Sequence, residues 1–330
     1  QNVRVITPYV GGGFGGKSAS QQALEAARLA QLTGRPVQVV WDRAEEFFYD
    51  TFRPAAVVKI RAGLDAEQRL VFWDFYVYCA GDREAQQFYD IPHQRTLASG
   101  GWGSNPPGLH PFVVGPWRAP SVNTNTFARE SHIDALAAQA GIDPVEFRMR
   151  HLRDPRMRRV LEAAASKFGW KPMKLPSGRG VGVSCAMYLG TYTAMMAEIE
   201  IDRNSGEIRV QRVVLAQDQG LVVNPDGSRQ QMEGGIMMGL GYALTEEVRF
   251  RGRMVLDRNF DTYRIPRFSW MPRIETVLIE NPEAPASGCG EPPIVNVGAV
   301  VANAFYDATG VRLYQLPMTP ERVKQALAKT

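Results

Sequence analysis

Residues 195–215 read MMAEIEIDRNSGEIRVQRVVL, and this stretch decides the fold class of the carboxy-terminal half. Met195–Ile201 and Glu207–Leu215 are apolar runs of strand length. Asp202–Gly206, between them, supplies the turn residues of a hairpin connection. Elements of both kinds follow the hairpin: a helix over residues 230–247, a strand near 274–279 and a last helix over 297–309. Glycines 234, 235, 239 and 241 would let another element approach the first of these helices closely.

Three helices are predicted upstream of the hairpin, and local signals mark their ends. The first carries the apolar stripe Ile133, Leu136, Ala137 and Ala140 and ends at Gly141. Asp143, Pro144 and Glu146 are a cap, a first-turn proline and a capping-box acid for the second. The third begins at Asp154–Pro155 and ends at Gly169.

The amino-terminal half also mixes strands and helices. A short strand is predicted within residues 1–10, a helix over about 20–33, and a loop region over 90–120. Further strands are predicted at 37–41, 56–61 and 70–78. Together these elements predict an α+β fold of two mixed sheet and helix domains. The predicted domains are residues 1–170 and 171–330, divided at a Lys-, Pro- and Gly-rich connector over 171–180.

Composition excludes several classes of protein. The 38 Lys and Arg residues against 34 Asp and Glu give a net charge of only +4, and the basic residues are scattered, so no nucleic-acid partner is indicated. No apolar run is long enough for a membrane span. The cysteines and histidines fit no CxxC or HExxH pattern, which predicts no metal site built by this chain alone. No signal peptide is visible, and the choice between cytoplasm and periplasm stays open.

Residues 11–18, GGGFGGKS, satisfy two generic motifs at once. They match the phosphate-binding P-loop GxxxxGK[ST] and the dinucleotide fingerprint GxGxxG, for which Asp42 would be the ribose-binding acid. In both motifs, glycines let backbone amides approach an anion at a helix N-terminus. A run this rich in glycine meets such patterns by chance. A P-loop nucleotide-binding protein, a Rossmann enzyme and a purely structural turn therefore remain as alternatives.

Four segments, taken in order, resemble the molybdopterin-binding subunit of the xanthine dehydrogenase/aldehyde oxidase family of molybdenum hydroxylases. They are GGGFGGK at 11–17, GPWRAPSVNTNTFARESHID at 115–134 with GIDPVEFR following at 141–148, the pattern D-x-G…NP…Q-x-E-G within 216–241, and GCGEPP at 288–293. The first is similar to the family's glycine loop and the second to its arginine segment. The last is similar to the loop that bears the catalytic glutamate. The resemblance runs over nearly the whole chain.

The resemblance also implies a complementary polypeptide. The family's pterin-gripping EMGQG segment would usually stand between the helices and the second sheet, where a short connector leads from Trp170 to a strand at Val181. The arrangement is similar to the isoquinoline-oxidoreductase-like and nicotinate-dehydrogenase-like members. It implies that this chain is the carboxy-terminal portion of a molybdenum site. The EMGQG-type segment would then lie on the complementary half.

The family resemblance implies that the reaction is oxidation of an aldehyde, or hydroxylation of an N-heterocycle, with oxygen derived from water. The implied cofactor is molybdopterin with molybdenum, in the cytosine dinucleotide form. Electrons would leave through 2Fe-2S clusters and then FAD or haem, on an iron–sulfur subunit and a flavin or haem subunit. A non-catalytic scaffold or assembly subunit is the alternative, because half of the contacts to the cofactor would be absent.

For Glu291, the resemblance implies the role of catalytic base, and a carboxylate within hydrogen-bond reach of a proton suits that role. The alternative is a cap for the helix near Val297. Gly12, Gly13, Phe14 and Gly15 would contact the cofactor.

Two arginines are candidates for orienting the substrate. Arg118 would also contact the cofactor, and its alternative is a salt bridge to Glu130. The alternative for Arg53 is a surface ion pair. Three further residues of the resembling segments are interpreted as structural: Asp218, Gln231 and Glu233.

Overall fold

A computed structural model of the protein describes residues 2–105, 109–171, 178–252 and 254–329. The described part contains helices and strands in mixed order. The helices are α1 Gln21–Thr33, α2 Arg43–Tyr49, α3 Val122–Ala140, α4 Pro144–His151, α5 Pro155–Phe168, α6 Pro225–Leu244, α7 Pro292–Val295, α8 Val297–Thr309 and α9 Pro320–Leu327. The strands are β1 Val57–Leu64, β2 Leu70–Tyr78, β3 His93–Ser99, β4 Arg179–Tyr188, β5 Thr191–Ile201, β6 Ile208–Asp218, β7 Phe250–Arg251, β8 Met254–Val255 and β9 Arg273–Leu278. No helix among the described residues is both long and apolar enough to cross a membrane.

The first sheet has the order β1-β2-β3. Strand β1 runs antiparallel to β2, and β3 joins the other edge of β2 in parallel. Trp73, Phe75 and Val77 alternate along β2 and are fully buried, because successive side chains of a strand point to opposite faces. These three residues share one apolar core with helices α3, α4 and α5.

The second sheet has the order β4-β5-β6-β9, with β9 parallel to β6 and the other pairs antiparallel. The predicted hairpin at residues 202–206 forms, and the Asp202 amide donates to the Glu207 carbonyl at 3.0 Å. Leu189 and Gly190 make the turn between β4 and β5. Both have positive φ, as the favoured two-residue hairpin turns require.

Helices cover both faces of the second sheet. Helix α5 lies on β5 and β6, whereas α8 lies on β4 and β5 on the opposite face. Alternate residues of β5 enter the two cores, with Met195 packing on the α8 side and Met196 on the α5 side. This alternation sandwiches the sheet between two helical layers, so β5 has no solvent-facing side over this stretch.

Helix α6 packs against the segment that follows Glu291. A Cβ at Gly235 would lie 2.7 Å from the Cβ of Pro293, and one at Gly239 would lie 2.4 Å from Val297 Cγ2. The predicted close approach at these two glycines is therefore confirmed. Gly234 differs, because its missing side chain faces open space.

A buried charge cluster joins α3, α4 and β4. Glu130 accepts hydrogen bonds from the Tyr89 hydroxyl at 2.9 Å, from Arg148 Nε at 2.9 Å and from the Cys185 amide at 2.8 Å. Arg148 is fully buried, and the Glu130 carboxylate compensates its positive charge. Such a buried ion pair is tolerated because the remaining hydrogen-bonding positions of the carboxylate also have partners. The Glu130 carboxylate is thus committed to this cluster.

The predicted α+β class is confirmed, but several element predictions are wrong. Among the described residues, neither 2–10 nor 37–41 forms a strand. The predicted loop over 90–120 contains β3, and α9 follows the helix that was expected to be the last. Helix α2 was also missed, although Asp42 caps it in a capping box with Glu45.

The predicted domain boundary falls at the connector over 171–180, most of which lies outside the described residues. Helix α5 precedes this point and packs on β5 and β6, which follow it. The division into residues 1–170 and 171–330 stays a prediction.

Candidate active site

The glycine loop, residues 11–18, lies against residues 115–121, which we call the arginine segment. The Arg118 amide donates to the Phe14 carbonyl at 2.8 Å. Gly15 has φ of 110°, and a Cβ there would lie 2.3 Å from the carbonyl oxygen of Pro116. Only glycine allows both this conformation and this contact between two backbones. The glycine loop is therefore held at the arginine segment by backbone contacts.

The Arg118 side chain reaches residues that are distant in sequence. Its Nε donates to the Gly290 carbonyl at 2.7 Å, and its Nη2 donates to Gln231 Oε1 at 3.0 Å. The guanidinium also lies over the Phe14 ring, 5.7 Å from the centroid. Burial lowers the pKa of Arg118, and Glu291 and Cys289 act against that shift. Arg118 thus links the glycine loop, α6 and the glutamate loop, Gly288–Pro293, and it forms no salt bridge to Glu130.

Glu291 stands at the amino-terminal end of α7 and does not cap it. Its Oε1 accepts a hydrogen bond from the Ala119 amide at 2.7 Å, and no side-chain cap bond is formed. Ala119 has φ of 58°, a conformation that is uncommon for a residue other than glycine and that turns its amide toward the carboxylate. Among the described residues, no hydrogen bond involves Glu291 Oε2. One carboxylate oxygen is therefore fixed, and the other remains available for chemistry.

These groups surround one open cleft with a volume of about 310 Å³. The glycine loop contributes Phe14, Gly15 and Ser18, and the glutamate loop contributes Gly290 and Glu291. The remaining lining residues are Pro116, Trp117, Arg118, Pro120 and Gln231. The structure thus assembles the predicted residues Phe14, Gly15, Arg118 and Glu291 around one cavity. Gly12 and Gly13 belong to the same loop but do not line the cleft.

Arg53 is not brought to this cleft. Its guanidinium lies 5.5 Å from the Trp117 ring centroid and 4.9 Å from that of Tyr242, and Nη2 donates to Thr124 Oγ1 at 3.2 Å. It lines a separate cavity of water size that shares Trp117 and Pro120 with the cleft. Burial lowers the pKa of Arg53. The arginine packs behind the cleft wall, and its role in orienting a substrate stays a prediction.

The residues interpreted as structural differ in their surroundings. Asp218 is fully buried and binds Arg156 Nη2 at 2.6 Å and the Gly220 amide at 3.0 Å. Glu233 is exposed on α6. Gln231 lines the cleft and holds Arg118, so its position is that of a site residue. The Ala119 amide could not be predicted as a site group from the sequence, because any residue type can supply a backbone donor.

Lys17 does not stand free for a phosphate. Its Nζ donates to the Gly12 carbonyl at 2.6 Å and closes the glycine loop on itself. The loop also leads into a single turn, Gly16–Ser18, rather than directly into α1. We predict that the chain shows no ATP or GTP binding in calorimetry with excess magnesium, because a P-loop lysine must reach the β- and γ-phosphates. Magnesium-dependent micromolar binding that is lost in Lys17→Ala would contradict this prediction.

Family models and individual relatives point to the same family of proteins. Two family models, each described as a molybdopterin cofactor-binding domain, match residues 1–99 and 124–272. A nicotinate dehydrogenase subunit from Pseudomonas putida is 31% identical over 98% of this chain and 30% of its own length. The beta subunit of isoquinoline 1-oxidoreductase from Brevundimonas diminuta is 31% identical over 95% of this chain and 42% of its own length. The chain thus spans less than half the length of these two relatives.

The fold has a counterpart among solved structures. Quinoline 2-oxidoreductase from Pseudomonas putida superimposes with a TM-score of 0.84 at 16% sequence identity, over 98% of this chain and 68% of the other. At this identity the likeness concerns the fold alone.

Proposed function

We propose that this chain, which belongs to the family of molybdopterin-binding subunits of molybdenum hydroxylases, supplies the base and one wall of a molybdenum active site. The proposed reaction is the oxidation of an aldehyde or the hydroxylation of an N-heterocycle. The observation that carries the proposal is the convergence of the glycine loop, Arg118 and Glu291 on one cleft. These residues come from segments more than 100 positions apart.

The cleft fits one side of a molybdopterin cofactor. Gly11 and Gly288 belong to the two loops that border the cleft without lining it, and a Cβ at either position would meet no atom within 4 Å, so the backbone there is accessible beside the cleft. The Phe14 side chain is 56% exposed beside Arg118 and offers an apolar surface at the rim. A buried cation and exposed backbone suit a large, phosphate-bearing group. We therefore propose that Gly12, Gly13, Phe14, Gly15 and Arg118 contact the cofactor.

When bound, the molybdenum cofactor would supply the two-electron oxidation, and the protein supplies placement and proton transfer. Glu291 Oε2 accepts the proton that a water-derived nucleophile must lose, while Oε1 stays fixed on the Ala119 amide. Arg118 orients the base, since it holds the Gly290 carbonyl next to it. Its charge also favours negative charge that develops in the cleft.

The partners we propose follow from what the chain leaves uncovered. None of residues 2–50 is buried, and apolar side chains such as Val5, Ile6 and Tyr9 are more than half exposed. Apolar surface of this kind marks an interaction site. We propose that a polypeptide with an EMGQG-type segment covers it and completes the cleft. An iron–sulfur subunit with 2Fe-2S clusters and a subunit with FAD or haem would then carry electrons away, and the cofactor would be the cytosine dinucleotide form.

Metal content with and without the complementary polypeptide tests this proposal. We predict that the chain expressed alone carries almost no molybdenum, because the cleft encloses only one side of a large cofactor. Co-expression with the EMGQG-type polypeptide should give a complex with near-stoichiometric molybdenum that oxidises an aldehyde or an N-heterocycle with a dye as electron acceptor. Near-stoichiometric metal in the chain alone would contradict the proposed partner. A fully loaded complex without turnover of either substrate class would favour the scaffold alternative.

A further inference from the structure

We propose that Thr191 and Thr193 of β5 are positioning residues for Glu291. They would hold the backbone on both sides of the glutamate through buried hydrogen bonds. The inference rests on the proposed function, in which Glu291 is the base. It assigns a task to two threonines that lie about 100 positions away from Glu291 in the sequence and do not line the cleft.

The first attachment precedes Glu291. Thr191 Oγ1 donates to the Gly288 carbonyl at 2.7 Å and lies 2.6 Å from Ser287 Oγ. A hydroxyl has one proton to donate, so while Thr191 donates to Gly288 its oxygen can only accept from Ser287. Ser287 Oγ has two acceptors within reach, Thr191 Oγ1 at 2.6 Å and the Gln219 carbonyl at 3.1 Å, and the first is the shorter contact. The Gln219 carbonyl beside Ser287 is satisfied in any case, because the Ser287 amide donates to it at 2.8 Å. The start of the glutamate loop is thereby fixed to the end of the second sheet.

The second attachment follows Glu291. Asn296, between α7 and α8, is fully buried, and its Nδ2 donates to Thr193 Oγ1 at 2.8 Å. Ser184 Oγ donates to Asn296 Oδ1 at 2.8 Å, and Thr193 Oγ1 donates to the Ala186 carbonyl at 3.2 Å. The Ser184 and Thr193 hydroxyl protons each have an acceptor in this chain of contacts. The polar atoms of Asn296 are therefore held by two neighbouring strands.

The two attachments form one device because Thr191 and Thr193 alternate on the same face of β5. Residues two apart on a strand point the same way, so both hydroxyls face the segment that contains Glu291. Both threonines are fully buried, and in such surroundings a carbonyl or amide that loses its partner is costly. Tyr192, between them, points to the other face and donates to Asp154 Oδ2 at 2.9 Å. Positioning residues of this kind hold a catalytic group in its productive geometry.

Cys289 provides a direct probe of the device. It lies in the glutamate loop, is partly exposed and forms no disulfide, so its alkylation rate reports how often the loop opens. We predict that Thr191→Val, which keeps the shape and removes the hydroxyl, raises the alkylation rate of Cys289 about five- to tenfold, as the loss of one buried hydrogen bond implies. Thr191→Ser keeps the hydroxyl and should stay near the wild-type rate. Alkylation of the full chain, followed by peptide mass spectrometry, measures both.

The same variants are then compared in turnover by the assembled enzyme. Thr191→Val should lower kcat about tenfold with little change in KM, because a misplaced base slows chemistry more than binding. Thr191→Ser should keep most of the wild-type kcat. Thr309→Val is the matched control, since Thr309 Oγ1 also donates to a carbonyl at 2.7 Å but lies at the far end of α8. The alkylation rate of Cys185, which is fully buried, serves as an internal control for general unfolding.

The outcomes separate this inference from the proposed function. An unchanged Cys289 rate in Thr191→Val would overturn the inference, whatever Glu291→Gln does. A faster rate in Thr191→Ser as well, or in Thr309→Val, would also overturn it, because general loosening would then be the cause. A loosened loop in Thr191→Val together with full activity of Glu291→Gln would support the attachment and contradict the proposed base. If Thr191→Val does not fold, Thr193→Val is measured against the same criteria.

Discussion

Glu291→Gln is expected to lower the turnover of the assembled enzyme by about 10²–10⁴-fold, the contribution of a positioned base. Folding and molybdenum content should remain nearly unchanged. The amide oxygen of glutamine can still accept the hydrogen bond from the Ala119 amide, so the side chain keeps its place. The Oε2 atom is replaced by an NH2 group, which cannot accept a proton, and only this capacity is lost. Steady-state kinetics and metal analysis of the same preparation measure both effects.

Glu283→Gln is the matched control for this experiment. Glu283 is an exposed carboxylate eight positions upstream, outside the residues that line the cleft. Its loss should leave turnover within about twofold of the wild type, because a surface charge at this distance acts only weakly. A Glu291→Gln enzyme that retains more than about a tenth of the wild-type rate would contradict the assignment of the base. Loss of the metal in that variant would indicate a role in binding the cofactor instead.

Elements with local signals were predictable from the sequence. Asp143 and Asp154 cap α4 and α5 as expected, and Gly141 and Gly169 end α3 and α5 in the left-handed conformation. Each of these signals acts within one helical turn. The hairpin at residues 202–206 is likewise local, because its turn residues stand between two apolar strands.

Elements without such signals were missed for a physical reason. Strand β3 reads HQRTLAS and is mostly exposed, so it shows no alternation of apolar and polar residues. It forms only because β2 offers a parallel partner. The apolar stretch Val37–Trp41 shows the converse, because no described strand pairs with it. Asp42 would be a ribose-binding acid if the glycine loop were a dinucleotide fingerprint. In the structure it caps α2 instead.

The candidate site was predictable in its parts but not in its geometry. The glycine loop, Arg118 and Glu291 were all named from the sequence, and the structure places them at one cleft. The contacts that hold them together are the Arg118 bond to the Gly290 carbonyl and the Ala119 bond to Glu291. Each bond joins a side chain to a backbone atom 172 residues away, and any residue could supply that backbone atom. The position of Arg53 could not be predicted, because packing of an arginine against two aromatic rings leaves no periodic pattern in the sequence.

The support of Glu291 extends to the packing of α8 on the second sheet. Gly180 and Gly182 lie on the face of β4 that meets this helix. A Cβ at Gly182 would lie 2.1 Å from the Val300 carbonyl oxygen and 2.6 Å from the Ala304 amide nitrogen. These are backbone atoms, so no side-chain rotation relieves the clash. We therefore predict that Gly182→Ala lowers the free energy of unfolding by about 3 kcal/mol, near the upper end of the cost of overpacking.

A thermal melt of the full chain measures this effect as a fall in melting temperature of about 4 °C, the shift that about 3 kcal/mol gives in a chain of this size. Gly63→Ala is the control, because a Cβ at Gly63 meets only Phe72 Cβ at an ordinary 3.8 Å and should change stability by less than about 0.5 kcal/mol. The displaced helix would also carry the glutamate loop with it, since α7 begins directly after Glu291 and leads through Asn296 into α8. Gly182→Ala should therefore lose activity at temperatures where it remains folded. A Gly182→Ala chain as stable as Gly63→Ala would contradict the predicted clash between β4 and α8. A Gly182→Ala chain that is destabilised but fully active while folded would show that α8 does not fix the glutamate loop in this way.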